Sequence, residues 1–347
     1  MSITAGLDVG GAHLKVALVE GGRPVSVRQV ACPLWQGFDK LDAALAEAAP
    51  LFARADRFAV TMTGELSDLF PDRETGALTL IERLHKELGA GTQYWMGPRG
   101  FGDADDARLH HTDVGSTNFL ATAALVARKR ADALLIDFGS TTADIIPIAN
   151  GVPCPRGLTD AVRQTTGELV YTGMTRTAVM GVTQSVPFGG QWVGLAREYL
   201  ATMADVRRIL GTDLTDIDQH ATADGQGTSR DESVMRLARM FGRDGREGTI
   251  EDWCTAASHI RDVQLRSIHD GAAQVLSATR IDPSAPVVAA GIGADEVADV
   301  AQRLGRDVVR FGALAGADPA TERWTTAAAP AVSVALLVDS SARDTSA

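Results

Sequence analysis

Ile136–Ile148 reads IDFGSTTADIIPI: a short apolar run ends at Asp137, small residues follow, and a second apolar run begins after Asp144. Two strand-like runs joined by a few small residues predict a β-hairpin. The turn carries the parts an oxyanion needs. Gly139 lets the backbone come close and take positive φ, successive N–H groups form an anion-binding nest, and the hydroxyls of Ser140, Thr141 and Thr142 add donors. An ordinary tight hairpin looks the same, so this stretch alone leaves both readings open.

A second copy shifts the balance. Leu7–Pro24, LDVGGAHLKVALVEGGRP, aligns without a gap on Ile136–Pro153, IDFGSTTADIIPIANGVP. Asp8 falls on Asp137, Gly10 on Gly139, Gly22 on Gly151 and Pro24 on Pro153. One supersecondary unit used twice predicts two hairpins facing across a cleft, holding opposite sides of one polyanion with Gly10 and Gly11 in the first turn. Asp8 and Asp137 would then serve a Mg²⁺ ion or its waters, because this ion prefers one or two carboxylates together with phosphate oxygens. Lys15 lies just past the first turn, where a cation meets phosphate oxygens, although a solvated strand lysine is the plainer account. Strand alternation puts it on the same face as His13, which reads as a turn residue.

The paired D-x-G hairpins resemble the two phosphate motifs of the acetate kinase, sugar kinase, Hsp70 and actin superfamily, over essentially the whole chain. The resemblance narrows to the hydantoinase/oxoprolinase branch and, within it, to a short-chain group like the furan-methanamine synthases of methanofuran-type coenzyme biosynthesis. TMTGELSDLF (Thr61–Phe70), GSTNFLATA (Gly115–Ala123), STTADIIPI (Ser140–Ile148) and GELVYTGMTRT (Gly167–Thr177) carry the narrower likeness. It implies an α/β, two-domain actin-like ATPase fold with duplicated β-hairpin phosphate motifs and an interdomain cleft. The first domain would span 1–125 plus about 325–347, and the second 126–324, with a helical insertion at about 197–280.

The implied activity is a transferase that condenses an (aminomethyl)furanmethyl diphosphate with the phenol oxygen of tyramine or γ-glutamyltyramine, releasing diphosphate. Mg²⁺ on Asp8 and Asp137, with Lys15 and the two turns, would stabilise the leaving diphosphate. A competing reading within the superfamily is an ATP-dependent kinase or an oxoprolinase/hydantoinase-like amide hydrolase; only there would ATP be a cofactor. An actin-like regulatory module ranks last, since no DNA-binding segment is added.

Further candidates follow along the chain. Glu65 comes directly after the expected strand Arg57–Thr63, where a doubly wound sheet binds ligands. It is a candidate general base or ammonium-binding carboxylate, or else an acidic residue in the first turn of a helix. Pro98–Arg108 reads as loop, and Thr112–Ala127 as one helix with Ser116, Thr117 and Asn118 at its N-terminus, Asn118 being a candidate substrate contact. Arg176 is placed to hold a carboxylate or phosphate and Tyr171 a ring, while Trp192 reads equally as an entrance aromatic or a core residue. Gly291-x-Gly293, at the end of an expected strand Pro286–Ala294, resembles the superfamily's adenosine motif and marks a nucleotide-like pocket. His259 and His269 do not share a helix face at ligand spacing, and the cysteines fit neither zinc nor disulfide spacing.

Composition is that of an ordinary soluble globular protein. At 347 residues, 45% hydrophobic and 22% charged, the chain has material for two cores. A net charge of −11 argues against nucleic acid as a partner, and the apolar run AVSVALLV is far too short for a membrane span. The opening MSITAGLDVGG has no signal-like core, so a cytoplasmic protein is expected, with a disordered tail from Ser340, while the resemblance implies small-molecule diphosphate and phenolic amine substrates.

Overall fold

In the computed structural model, which describes residues 2–344, both copies of the repeat are hairpins. The first is built from β1 (Ile3–Val9) and β2 (His13–Glu20), with Asp8 opposite Lys15, and closes by a 3.0 Å hydrogen bond from the Gly10 N–H to the His13 carbonyl. Around it runs a six-stranded sheet in the order β3-β2-β1-β4-β5-β6, completed by β3 (Arg23–Ala31), β4 (Arg57–Met62), β5 (Gln93–Trp95) and β6 (Phe101–Gly102). β4 is parallel to β1, so its carboxyl end opens beside the first turn. Helix α1 (Phe38–Phe52) runs unbroken through Pro50, and α2 (Arg73–Leu88) starts where Asp72 accepts the Thr75 N–H at 2.7 Å.

Two readings of this half are corrected. Region 98–108 is not merely loop: β6 lies in it, and Asp103 accepts the N–H groups of Asp105 and Asp106 to cap α3 (Ala104–Leu109). An acidic run that looks like a solvated loop is a helix start. The helix expected over 112–127 is two pieces, α4 (His111–Val114) and α5 (Asn118–Ala127), broken where Ser116 takes φ +52°.

The second hairpin repeats the first. β7 (Ala133–Phe138) and β8 (Ala143–Ala149) pair with Asp137 opposite Asp144, and the Gly139 N–H bonds the Thr142 carbonyl at 2.9 Å. Its sheet runs β10-β8-β7-β13-β14, with β9 (Val152–Pro153) beside β8, and includes β10 (Leu169–Val170), β13 (Val287–Ala290) and β14 (Val308–Arg310). Helix α6 (Asp160–Thr166) precedes β10. Between β10 and β13 come a small hairpin, β11 (Ser185–Phe188) with β12 (Gln191–Gly194), and helices α7 (Met203–Ile209), α8 (Arg230–Met240) and α9 (Ile250–Ala278). They enclose their own core around Phe188, Met203, Leu237 and Trp253. The first of these helices begins at Met203 rather than Arg197, because Thr202 and Asp205 form its capping box.

Helix α10 (Ala294–Arg303) follows β13, the short α11 (Phe311–Leu314) and α12 (Glu322–Ala327) come next, and α13 (Ala329–Asp344) returns to pack on β1 and α5. α13 extends four residues beyond Ser340, into the tail expected to be disordered, while 345–347 lie outside the described residues. Its approach depends on Gly6, where a Cβ would stand 2.0 Å from the Ala331 carbonyl oxygen. Gly6→Val is therefore expected to cost about 3 kcal/mol in urea unfolding, since neither backbone can give way without unseating the helix. Among the described residues no helix is long and apolar enough to cross a membrane.

Candidate functional site

The two turns share one cleft of about 600 Å³. Asp8, Gly10, Gly11 and Lys15 line it from the first hairpin, and Asp137, Gly139, Ser140, Thr141 and Thr142 from the second. Of the other expected residues, Asn118 and Arg176 also stand on its walls, with Tyr171 beside them.

Each turn is buttressed by motif residues. The Thr63 N–H bonds the Val9 carbonyl at 3.0 Å and the Ser116 N–H bonds the Met62 carbonyl at 3.1 Å, so TGEL and GSTN brace the first turn. The second leans on Gly173–Arg176. A Cβ on Gly173 would lie 2.1 Å from the Ser140 carbonyl oxygen, the Met174 N–H bonds the Gly139 carbonyl at 2.9 Å, and the Arg176 N–H bonds the Ser140 carbonyl at 3.0 Å. The Arg176 guanidinium also donates to the Thr141 hydroxyl at 3.1 Å, which aims its charge along this turn. Positive φ plays no part at the turn glycines: Gly10, Gly11 and Gly139 all lie outside the left-handed region. Space is the requirement at Gly10, whose Cβ would stand 3.0 Å from the His13 carbonyl oxygen.

The carboxylates are nearly sealed from water, Asp8 being 5% exposed and Asp137 8%. Burial pushes Asp137 up to about 7, against the pull of Lys15 and with help from the Asp144 and Asp8 charges. Asp8 is raised by the same desolvation, opposed by Lys15 and the Asn118 side chain. The Lys15 ammonium lies 4.0 Å from Asp8, and Arg163 binds Asp144 at 2.6 Å while stacking on the Phe119 ring. The buried Asp8 Oδ1 has no hydrogen-bond partner among the described residues. Among the described residues no three His, Cys, Asp or Glu gather as a protein-only metal cage. That donor set suits Mg²⁺, which keeps waters and substrate oxygens around one or two carboxylates.

The raised Asp137 sets a pH dependence. A carboxyl ionising near 7 when folded and near 3.8 when unfolded favours the folded state below pH 4, and that advantage is lost as pH rises through 7. With divalent cations chelated, Tm is expected to fall between pH 5 and 8. Asp137→Asn should flatten that slope in a thermal melt series.

Glu65 is not where direct contact with substrate requires it. It is 2% exposed and absent from the cleft wall, packed under the backbones of Gly76 and Gly115. Its Oε1 accepts the Ser116 hydroxyl at 2.5 Å, and Ser116 lines the cleft. The glycines of the nucleotide-like pocket are also committed to packing. A Cβ on Gly291 would stand 2.3 Å from the Phe138 carbonyl oxygen, and one on Gly293 2.3 Å from the Phe138 ring. Both border a separate cavity of about 230 Å³ that shares no lining residue with the main cleft. Arg310 is held there by Asp295 and, at 2.8 Å, by Glu322. Trp192 is exposed, edge-on to His259, and does not line the cleft.

His13, Trp35, Asp144 and Arg163 line the cleft and were not among the expected site residues. Asp144 carried a signal, since the repeat places it on Lys15; Trp35 and Arg163 arrive from segments with no motif.

Residues 56–316 match the hydantoinase/oxoprolinase family model. The chain belongs to the hydantoinase/oxoprolinase family. It is similar to a protein of Methanocaldococcus jannaschii named (4-{4-[2-(gamma-L-glutamylamino)ethyl]phenoxymethyl}furan-2-yl)methanamine synthase. The two are 31% identical over 238 residues, 68% of this chain and 70% of the relative. A Methanococcus vannielii protein of the same name is 31% identical over 109 residues, 31% of this chain and 48% of that one. Among solved structures, a nucleotide-free acetone carboxylase superposes with a TM-score of 0.58 over 96% of this chain and 70% of that one. At 11% identity that likeness concerns the fold alone.

Proposed function

We propose that this member of the hydantoinase/oxoprolinase family is a transferase that joins an (aminomethyl)furanmethyl diphosphate to the phenol oxygen of tyramine or γ-glutamyltyramine. It releases diphosphate and serves methanofuran-type one-carbon coenzyme biosynthesis in the cytoplasm. The observation that carries the reading is the doubled turn: two hairpins in the same register present buried aspartates and hydroxyl-rich turns to one cleft. The relatives' name supports it, because a phenoxymethylfuran is an aryl ether, formed by joining a phenol oxygen to a furanmethyl carbon.

The residues divide the work by charge. Ser140, Thr141 and Thr142 offer hydroxyl donors to diphosphate oxygens, with Gly10, Gly11 and Gly139 leaving room for their approach. Lys15 and Arg176 neutralise the charge that grows on the leaving group. Asp8 and Asp137 would hold Mg²⁺, whose chemistry when bound is Lewis-acid stabilisation of the departing diphosphate. The electron-rich furan spreads positive charge at its methylene carbon, so ionisation needs little covalent help. Asn118 and Tyr171 border the space left for the organic parts of the substrates.

Titration calorimetry with Mg-diphosphate and with Mg-ATP tests the assignment. Diphosphate binding without comparable ATP binding is expected, since Gly291 and Gly293 are packed against Phe138. Micromolar ATP binding with acceptor-stimulated ADP release would replace the transferase with the kinase or hydrolase reading.

A further inference from the structure

Ser116 and Glu65 form a pair that the leaving-group chemistry leaves unused. Ser116 stands on the cleft wall in a left-handed conformation, φ +52°, that side chains other than glycine seldom adopt. The turn places its hydroxyl on Glu65 Oε1 at 2.5 Å. Behind it, the buried Glu65 Oε2 has no hydrogen-bond partner among the described residues. Among the described residues no salt bridge reaches this carboxyl: the charged groups felt around it are Arg73 on α2 and Asp160 at the start of α6, which pair with each other at 3.7 Å. A carboxylate with an empty acceptor site, joined to the cleft by one hydroxyl, is arranged to receive a proton.

We propose that Ser116 and Glu65 relay the acceptor's proton during aryl ether formation, with Ser116 touching the phenol and Glu65 acting through it. The assignment rests on the transferase reading above. The furanmethyl carbon–oxygen bond breaks and its electron pair leaves on diphosphate. A phenol oxygen lone pair forms the new carbon–oxygen bond. The phenol proton passes to Ser116 Oγ as the Ser116 proton passes to Glu65 Oε1, so an anionic Glu65 ends neutral. It resets by giving that proton to solvent or diphosphate as products leave. Burial raises the Glu65 pKa, against the Ser116 hydrogen bond and Arg73, which brings this carboxyl closer to the operating pH of a general base.

The test uses two variants and two acceptors. Glu65→Gln keeps an oxygen to accept the Ser116 hydroxyl but takes no proton, and Ser116→Gly removes the hydroxyl while suiting the positive φ. Each is assayed with (aminomethyl)furanmethyl diphosphate and either tyramine or a ring-polyfluorinated tyramine whose phenol is already ionised at neutral pH. With tyramine, kcat is expected to fall about 100-fold in both variants. Diphosphate binding by calorimetry should stay unchanged, and the acidic limb of the kcat–pH profile should disappear in Glu65→Gln. The fluorinated acceptor, needing no base, should restore most of the rate. A folded variant that turns over tyramine at the wild-type rate, or loses both acceptors equally, overturns the relay and leaves the transferase standing. Wild-type protein that binds diphosphate and converts neither acceptor overturns the transferase reading and the relay with it.

Discussion

Replacing either cleft aspartate with its amide, Asp8→Asn or Asp137→Asn, is expected to lower kcat by about 10²–10³-fold while leaving Tm unchanged or higher. The two expectations have one cause. Both carboxyls are buried and raised in pKa, so a neutral amide of the same shape removes a desolvation cost that folding otherwise bears. The same change removes the negative charge that would hold Mg²⁺ beside the leaving diphosphate. Steady-state kinetics across a Mg²⁺ titration, with a thermal melt of each variant, reads both effects. A large fall in Tm would mark these residues as structural, and unchanged turnover would end the metal assignment.

The second large effect is at Lys15. Lys15→Met is expected to lower kcat about 100-fold with little change in the KM of the phenolic acceptor, because the ammonium acts on charge that develops only as diphosphate leaves. It stands opposite Asp8 across the hairpin, 4.0 Å from its carboxylate. Without it both aspartates lose the main group that lowers their pKa. The variant should consequently need a higher pH for Mg²⁺ to bind. A KM-only effect would place Lys15 on the acceptor side of the cleft.

The central geometry was legible because it is written twice. Asp8 and Asp137 each sit two residues before the glycine that closes the turn, opposite Lys15 and Asp144, and a gapless repeat fixes register as well as presence. What the repeat does not encode was harder to see. Glu65 follows β4 as a cleft residue should, but its side chain turns inward where Gly115 leaves room for the carboxylate, while Gly76 lets α2 close on its backbone. Those contacts are remote in sequence, and no local pattern reports them. The break at Ser116 has the same origin: GSTN reads as a helix start, while the turn that starts the helix is held by Glu65 fifty-one residues away. In the region 98–108 the acidic run was correctly polar, and only the capping role of Asp103 separates a helix start from a loop. The glycines at 291 and 293 look alike whether they admit a nucleotide or a phenylalanine ring, and here Phe138 fills the space.

The most direct measurement is of the reaction itself. Purified protein is incubated with Mg²⁺, (aminomethyl)furanmethyl diphosphate and tyramine or γ-glutamyltyramine, and the mixture is followed by mass spectrometry with a diphosphate assay. An aryl ether of the furanmethyl and phenol parts is expected, formed in step with one diphosphate per ether and without any nucleotide. Diphosphate accumulating with no ether, or ether formed only when ATP is supplied and consumed, would contradict the transferase reading.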